Sequence, residues 1–291
     1  MVTPDAPMPR GGSVPVGSFH INCRRLGAPL VSSVSRPTLV LLHGFGASSA
    51  TWLDIDETLA AAMPVVEIDL KGFGYSDRPR DGDYAIESQA EIVLEVLKQL
   101  GLQRVILCGH SYGGGVALLT YFLRKDRASG PAVEKLVLIG AASYKQRLPF
   151  FMAALANPVA RLAAFGLMSP RARARFILNR IMRAPDAVTD ERVSRYAFFF
   201  SLPGSNYALT MAARQIFPRD QASLVSRLRE IDVPVSIIWG DRDPVIPPAF
   251  ARRLQNDVRH ATLHMLPHTG HVPHEELPQD VLQVLMPMLG Q

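Results

Sequence analysis

The sequence predicts an α/β fold built on a mostly parallel central sheet, and three observations carry that expectation. Short apolar runs rich in β-branched residues recur at 38–42, 65–68, 104–107 and 135–139, the pattern of strands covered on both faces. Between them, 50–63, 86–100 and 116–125 carry apolar positions at three- and four-residue spacing, as crossover helices between parallel strands require. The rhythm stops at Tyr144 and returns with a strand at 235–239, a helix near 248–255, a strand at 261–266 and a final helix from Glu275.

The chain has 291 residues, 48% hydrophobic and 20% charged, so it can bury a large core and is too apolar for disorder. Ahead of the first run, residues 1–18 interleave prolines and glycines where a secretion signal needs an unbroken apolar stretch. They read as a loose tail with no export signal. The two cysteines, Cys23 and Cys108, are far apart and lack metal-ligand spacing; a reducing, cytoplasmic setting fits, and neither a disulfide scaffold nor a zinc site is expected.

The interruption spans about ninety residues rich in Arg, Ala, Phe and Met, without a strand signal. It predicts a helical insertion at 145–230, a cap over the carboxyl ends of the strands where α/β ligands sit, with 1–144 and 231–291 forming the core. Net charge is +5, yet 145–230 holds 14 Lys and Arg against 5 Asp and Glu, so the excess belongs to this segment. From Leu148 to Pro170 the sole charge is Arg161, over a length that could cross a bilayer. Pro149, Asn157, Pro158 and Gly166 instead divide it into short helices with an apolar underside.

The chemistry begins after the strand at 104–107, where Gly109-His110-Ser111-Tyr112-Gly113 leads into an apolar helix. This is G-x-S-x-G in its strand-turn-helix context. The abrupt turn forces its central residue into a strained conformation, while Gly109 and Gly113 let flanking backbones pass. Ser111 then stands at a helix N-terminus, whose free N–H groups favour developing negative charge.

With this elbow, the chain resembles the α/β-hydrolase superfamily, specifically its capped serine hydrolases, from about Thr38 onward. Two further motifs match: His43-Gly44-Phe45-Gly46 is similar to the oxyanion loop, and Asp69-Leu70-Lys71-Gly72-Phe73-Gly74-Tyr75-Ser76 to the D-x-x-G-x-G-x-S turn. The resemblance implies an α/β-hydrolase fold with the helical cap inserted after the sixth strand.

A serine hydroxyl needs a base and an orienting acid. In Trp239-Gly240-Asp241-Arg242-Asp243-Pro244 the family's W-G-x-x-D points to Asp243. Asp241, directly after the turn glycine, is expected to bond its own backbone. In Pro267-His268-Thr269-Gly270-His271-Val272-Pro273-His274-Glu275 the family pattern points to His271. His264, His268, His271 and His274 have helical metal-ligand spacing, but Pro267, Gly270 and Pro273 break such a helix. His264 and His268 read as structural, and His274 as orienting the loop or starting the last helix.

By the same resemblance, the backbone N–H groups of Phe45 and Tyr112 form the oxyanion hole. Candidates for the substrate pocket are His43, Phe150, Phe151, Phe165 and Phe199, with Leu155, Phe198 and Phe200 adding to an apolar cap; His43 also fits a structural hydrogen bond. The implied activity is hydrolysis of a carboxylic ester, with a small to medium-chain acyl or aromatic group, and no cofactor.

Ser111 argues against the dehalogenase and epoxide hydrolase branches, which need a carboxylate at this position. Carbon–carbon hydrolases usually carry Asn where this chain has His110, yet that reading and an amide hydrolase stand as alternatives. So does a non-catalytic ligand receptor. Arg171, Arg173 and Arg175 beside the apolar stretch leave a solvated face, a grip on acidic substrates or weak peripheral membrane contact open. No nucleic-acid motif accompanies the charge.

Overall fold

The computed structural model describes residues 10–27 and 36–289. Among these, strands β1 (Gly12–Val16), β2 (Phe19–Leu26), β3 (Thr38–Leu42), β4 (Val65–Ile68), β5 (Arg104–His110), β6 (Ala132–Ile139), β7 (Val235–Gly240) and β8 (Ala261–Leu266) form a sheet. Their order is β1-β2-β4-β3-β5-β6-β7-β8. The β1–β2 and β2–β4 pairings are antiparallel and the rest parallel, giving the α/β-hydrolase fold expected.

The near-continuous apolar strands follow from a sheet covered on both sides, because alternate residues enter opposite layers. Val40, Leu42, Val105, Leu107, Leu136 and Leu138 join one core, while Leu39, Leu41, Ile106, Cys108, Val137 and Ile139 join the other. The first core is closed by α2 (Ile86–Gln99), α3 (Tyr112–Arg127) and α10 (Ala249–Asp257). The second is closed by α1 (Asp56–Ala62) and α12 (Pro278–Leu289).

Between β6 and β7 run α4 (Phe150–Ala156), α5 (Pro158–Phe165), α6 (Pro170–Ile181), α7 (Asp190–Ser201), α8 (Ser205–Arg214) and α9 (Gln221–Arg227). Caps explain where several begin: Asn157 accepts from Val159 N and Ala160 N, Ser169 from Ala172 N, and Thr189 from Arg192 N. Residues 148–170 thus form short helices, and among the described residues no helix is long and apolar enough to cross a membrane.

Three expectations need correction. Residues 12–16, expected in a loose tail, form the edge strand β1 against β2; residues 1–9 lie outside the described residues. The helix expected at 50–63 is a 3-10 turn at Ser49–Trp52 followed by α1. The final helix begins at Pro273 rather than Glu275, as the short α11 (Pro273–Glu276) ahead of α12.

Candidate active site

The strand ends bring three distant segments together. Ser111 sits between β5 and α3 with φ 52° and ψ −116°, a positive-φ conformation outside the left-handed helical well that a non-glycine residue adopts only under constraint. The constraint is local crowding. A side chain at Gly109 would strike the Gly113 carbonyl, and one at Gly113 the Leu42 carbonyl, so only glycines let strand and helix pack at this angle. Ser111 N–H donates to the Ile139 carbonyl at 2.8 Å and its carbonyl accepts from Ala142 N at 2.9 Å, which fixes the turn to the end of β6.

Asp243 follows β7. Its Oδ1 accepts from Val245 N at 2.7 Å and Ile246 N at 2.9 Å, leaving Oδ2 for His271 Nδ1 at 2.8 Å. His271 Nε2 lies 2.8 Å from Ser111 Oγ. With Asp243 accepting, Nδ1 carries the proton and Nε2 presents its lone pair to the hydroxyl. All three side chains are buried.

The histidine loop is held by groups from several elements. Its His271 N–H donates to the Ile181 carbonyl at the end of α6, 2.8 Å away, and its carbonyl accepts from His110 Nε2 at 2.8 Å. Glu276 accepts from Gly270 N, Val272 N, Arg183 N and Ala184 N at 2.7–3.0 Å, binding this loop to the segment after α6. Asp241, expected to bond its own backbone, instead accepts from Thr269 N at 3.3 Å, so it too supports this loop.

On the opposite side, the loop after β3 presses against the serine: a methyl group at Gly44 would lie 3.3 Å from Ser111 Cβ. Among the described residues, neither Phe45 N nor Tyr112 N makes a hydrogen bond, so both are available to a negatively charged oxygen. Asp69 anchors this loop, accepting from Ser49 N at 2.6 Å, Tyr75 N at 2.8 Å and Asn22 Nδ2 at 2.9 Å. Ser76 Oγ donates to the Asp69 carbonyl at 2.6 Å. The Asp69–Ser76 motif is therefore scaffolding for the loop.

The neighbouring histidines are neutral. His43 donates from Nδ1 to the Gly44 carbonyl at 2.8 Å and accepts at Nε2 from Leu70 N at 3.0 Å; burial lowers its pKa. Burial, reinforced by His274 and His271, pushes His110 well below the usual histidine range. His274 stacks on Trp52 at 4.3 Å and bonds through Nε2 to Thr51 Oγ1 at 2.9 Å. Burial takes it down to about 3. His264 is half-buried and His268 exposed; among the described residues no cluster suits a metal.

A cavity of about 1010 Å³, counting its opening to solvent, reaches Ser111 and His271. Phe151, Leu155, Ile177, Phe200, Leu209 and Phe217 give it a mainly apolar wall. Of the pocket candidates among the described side chains, only Phe151 lies there. His43 is turned inward by its two backbone bonds, Phe150 is 58% exposed, and Phe199 packs on Tyr75. The Phe165 side chain lies outside the described residues. Sequence reasoning missed Glu276, whose only signal is its place one residue beyond the histidine motif, and Tyr196 on α7, Leu209 on α8, and Ile216 and Phe217 in the segment between α8 and α9, which reach the cavity from faces that periodicity does not reveal.

The comparisons agree with this architecture. A family model described as the alpha/beta hydrolase family matches residues 39–284. The chain is 26% identical over 245 residues to the uncharacterized hydrolase YugF of Bacillus subtilis, covering 84% of this chain and 86% of that protein. It is 30% identical over 279 residues to the mesoderm-specific transcript homolog protein of Homo sapiens, covering 88% of this chain and 80% of that one. An alpha/beta hydrolase fold protein from Burkholderia ambifaria is similar in structure, with TM-score 0.79, 25% identity, and 94% of this chain and 96% of that chain covered. Since the match runs from β3 into α12 and takes in every strand end that bears a site residue, the chain belongs to the alpha/beta hydrolase family.

Proposed function

We propose that the protein is a serine hydrolase that cleaves a carboxylic ester with a small to medium-chain acyl or aromatic group. The observation that carries this reading is the unbroken line from Ser111 Oγ to His271 Nε2 and from His271 Nδ1 to Asp243 Oδ2, 2.8 Å at each step. His271 takes the hydroxyl proton as Ser111 Oγ bonds to the ester carbonyl carbon. The N–H groups of Phe45 and Tyr112 receive the resulting oxyanion, and His271 returns the proton to the leaving alcohol as the C–O bond breaks. Water, deprotonated by His271, then attacks the acyl carbon, and His271 returns that proton to Ser111 Oγ as the acyl–Oγ bond breaks and the acid is freed. Asp243 holds the imidazole in the required tautomer throughout.

The apolar wall contributed by α4, α6, α7 and α8 supports the substrate class and the reading of these helices as a cap. The test is a series of p-nitrophenyl esters of graded chain length on the wild type and Ser111→Ala. The substitution should lower kcat by about 10⁴-fold or more, and a fluorophosphonate should label only the wild type. Ser111-dependent cleavage of amides or vinylogous diketones in preference to esters would move the reaction to another bond. A folded protein that is neither labelled nor active would be a ligand receptor.

A further inference from the structure

Isolated exposed apolar residues are ordinary on a protein surface, but a cluster calls for an occupant. The exposed large apolar side chains among the described residues are Phe150 at 58%, Val159 at 77%, Leu162 at 68% and Leu167 at 104%, all between positions 150 and 167. Val159 and Leu162 stand three apart on α5 and share a face. Phe150 opens α4, which turns Phe151, Met152 and Leu155 inward to the active-site cavity. The α4 helix therefore carries cavity-lining residues on one face and the exposed Phe150 at its start.

The charge along the segment that bears these residues has one sign. Residues 140–185 contain eight Lys and Arg and no Asp or Glu. Arg171 and Arg175 pair with Asp190. Among the described residues, Lys145, Arg147, Arg161 and Arg180 make no ion pair. The Arg180 guanidinium lies over the exposed Phe150 ring at 5.1 Å and over Phe176 at 4.1 Å, so a cation borders the apolar surface directly.

A second copy of the chain fits this face poorly. Two-fold pairing would set cations against cations, with no carboxylate from 140–185 to separate them. An anionic lipid surface matches both features, offering acyl chains to the apolar side chains and phosphates to the arginines. Since no described helix is long and apolar enough to span a membrane, the contact is peripheral.

We infer that the face formed by α4 and α5 docks on anionic membrane surfaces, with Phe150, Val159, Leu162 and Leu167 entering the interface and Arg147 and Arg180 meeting lipid phosphates. Docking stands apart from the proposed reaction, since it uses none of the Ser111 site.

The test is flotation of the full chain with vesicles of phosphatidylcholine alone or mixed with phosphatidylglycerol, at low and high ionic strength. The wild type should float with anionic vesicles, and weaken severalfold in high salt or without the anionic lipid. Leu162→Ser with Leu167→Ser should weaken partitioning roughly tenfold or more, and Arg147→Gln with Arg180→Gln also by about tenfold, both with unchanged melting temperature. Failure of the wild type to bind anionic vesicles would overturn the inference, as would equal binding by the arginine pair. So would a solution dimer, detected by light scattering, that the leucine pair converts to monomer.

Discussion

Glu276 shows how much a single side chain can organise around the His271 loop. A carboxylate accepts at both oxygens, whereas an amide accepts at one, and here four backbone N–H groups from two segments converge on Glu276. Glu276→Gln should therefore loosen the loop that aims His271. The expected result is a fall in kcat of about 10²-fold with KM little changed, read from steady-state ester hydrolysis. His274 makes a different prediction. Its imidazole is protonated below about 6.5 in the unfolded chain but only below about 3 in the fold. The unfolded state thus binds more protons across that window, and this group's contribution to stability is lost as pH falls through it. Glu67 and Glu275, raised by burial, act in the opposite sense, so the histidine is isolated by comparison. Urea denaturation of His274→Gln should show the variant gaining on the wild type by about 1.4 kcal/mol per pH unit between about pH 6 and pH 4. Ser111, Asp243 and His271 were legible because turn glycines and flanking motifs surround them. Glu276 was not, because its role depends on Arg183 and Ala184, remote in sequence.

Among the elements, α7 shows how the helices between β6 and β7 are tied to the turn before α1 and to α11. Arg192 and Arg195 reach Asp54 at 2.5 and 2.8 Å, and Arg192 also meets Glu275 at 2.9 Å. Burial alone would raise the Asp54 carboxyl, but Arg195 and Arg192 hold it below its usual value. Asp54→Ala would leave Arg195 largely buried with only the exposed Glu191 as partner. The expected loss is about 3 kcal/mol, measured as a lower urea midpoint with unchanged m. The periodic pattern could not announce this clamp, since its charges lie on separate elements. Nor could it announce β1, where Val14 alone is buried and Pro15 stands on an edge that tolerates a missing donor. The break after Trp52 was hidden for another reason: its apolar residues continue the helical spacing although the helix stops.

For the molecule as a whole, stability should reside in the sheet and its two cores. Leu138, fully buried in β6, packs in the larger core, and Leu138→Ala should cost about 2–5 kcal/mol in a denaturant titration, with KM unchanged. Native-state hydrogen exchange should find the amides of β3, β5 and β6 slowest and those of α5 fastest, since α5 buries little of its described surface. Local order in the chain determined the parallel strands, the crossover helices and the strained turn at Ser111, because periodicity and glycine placement act within a few neighbouring residues. Folding alone decided which phenylalanines face the cavity, that His43 turns inward, and that Glu276 and Asp54 bridge elements far apart. Those outcomes depend on the relative placement of whole helices and strands, which is set by packing between distant segments and leaves no periodic trace along the chain.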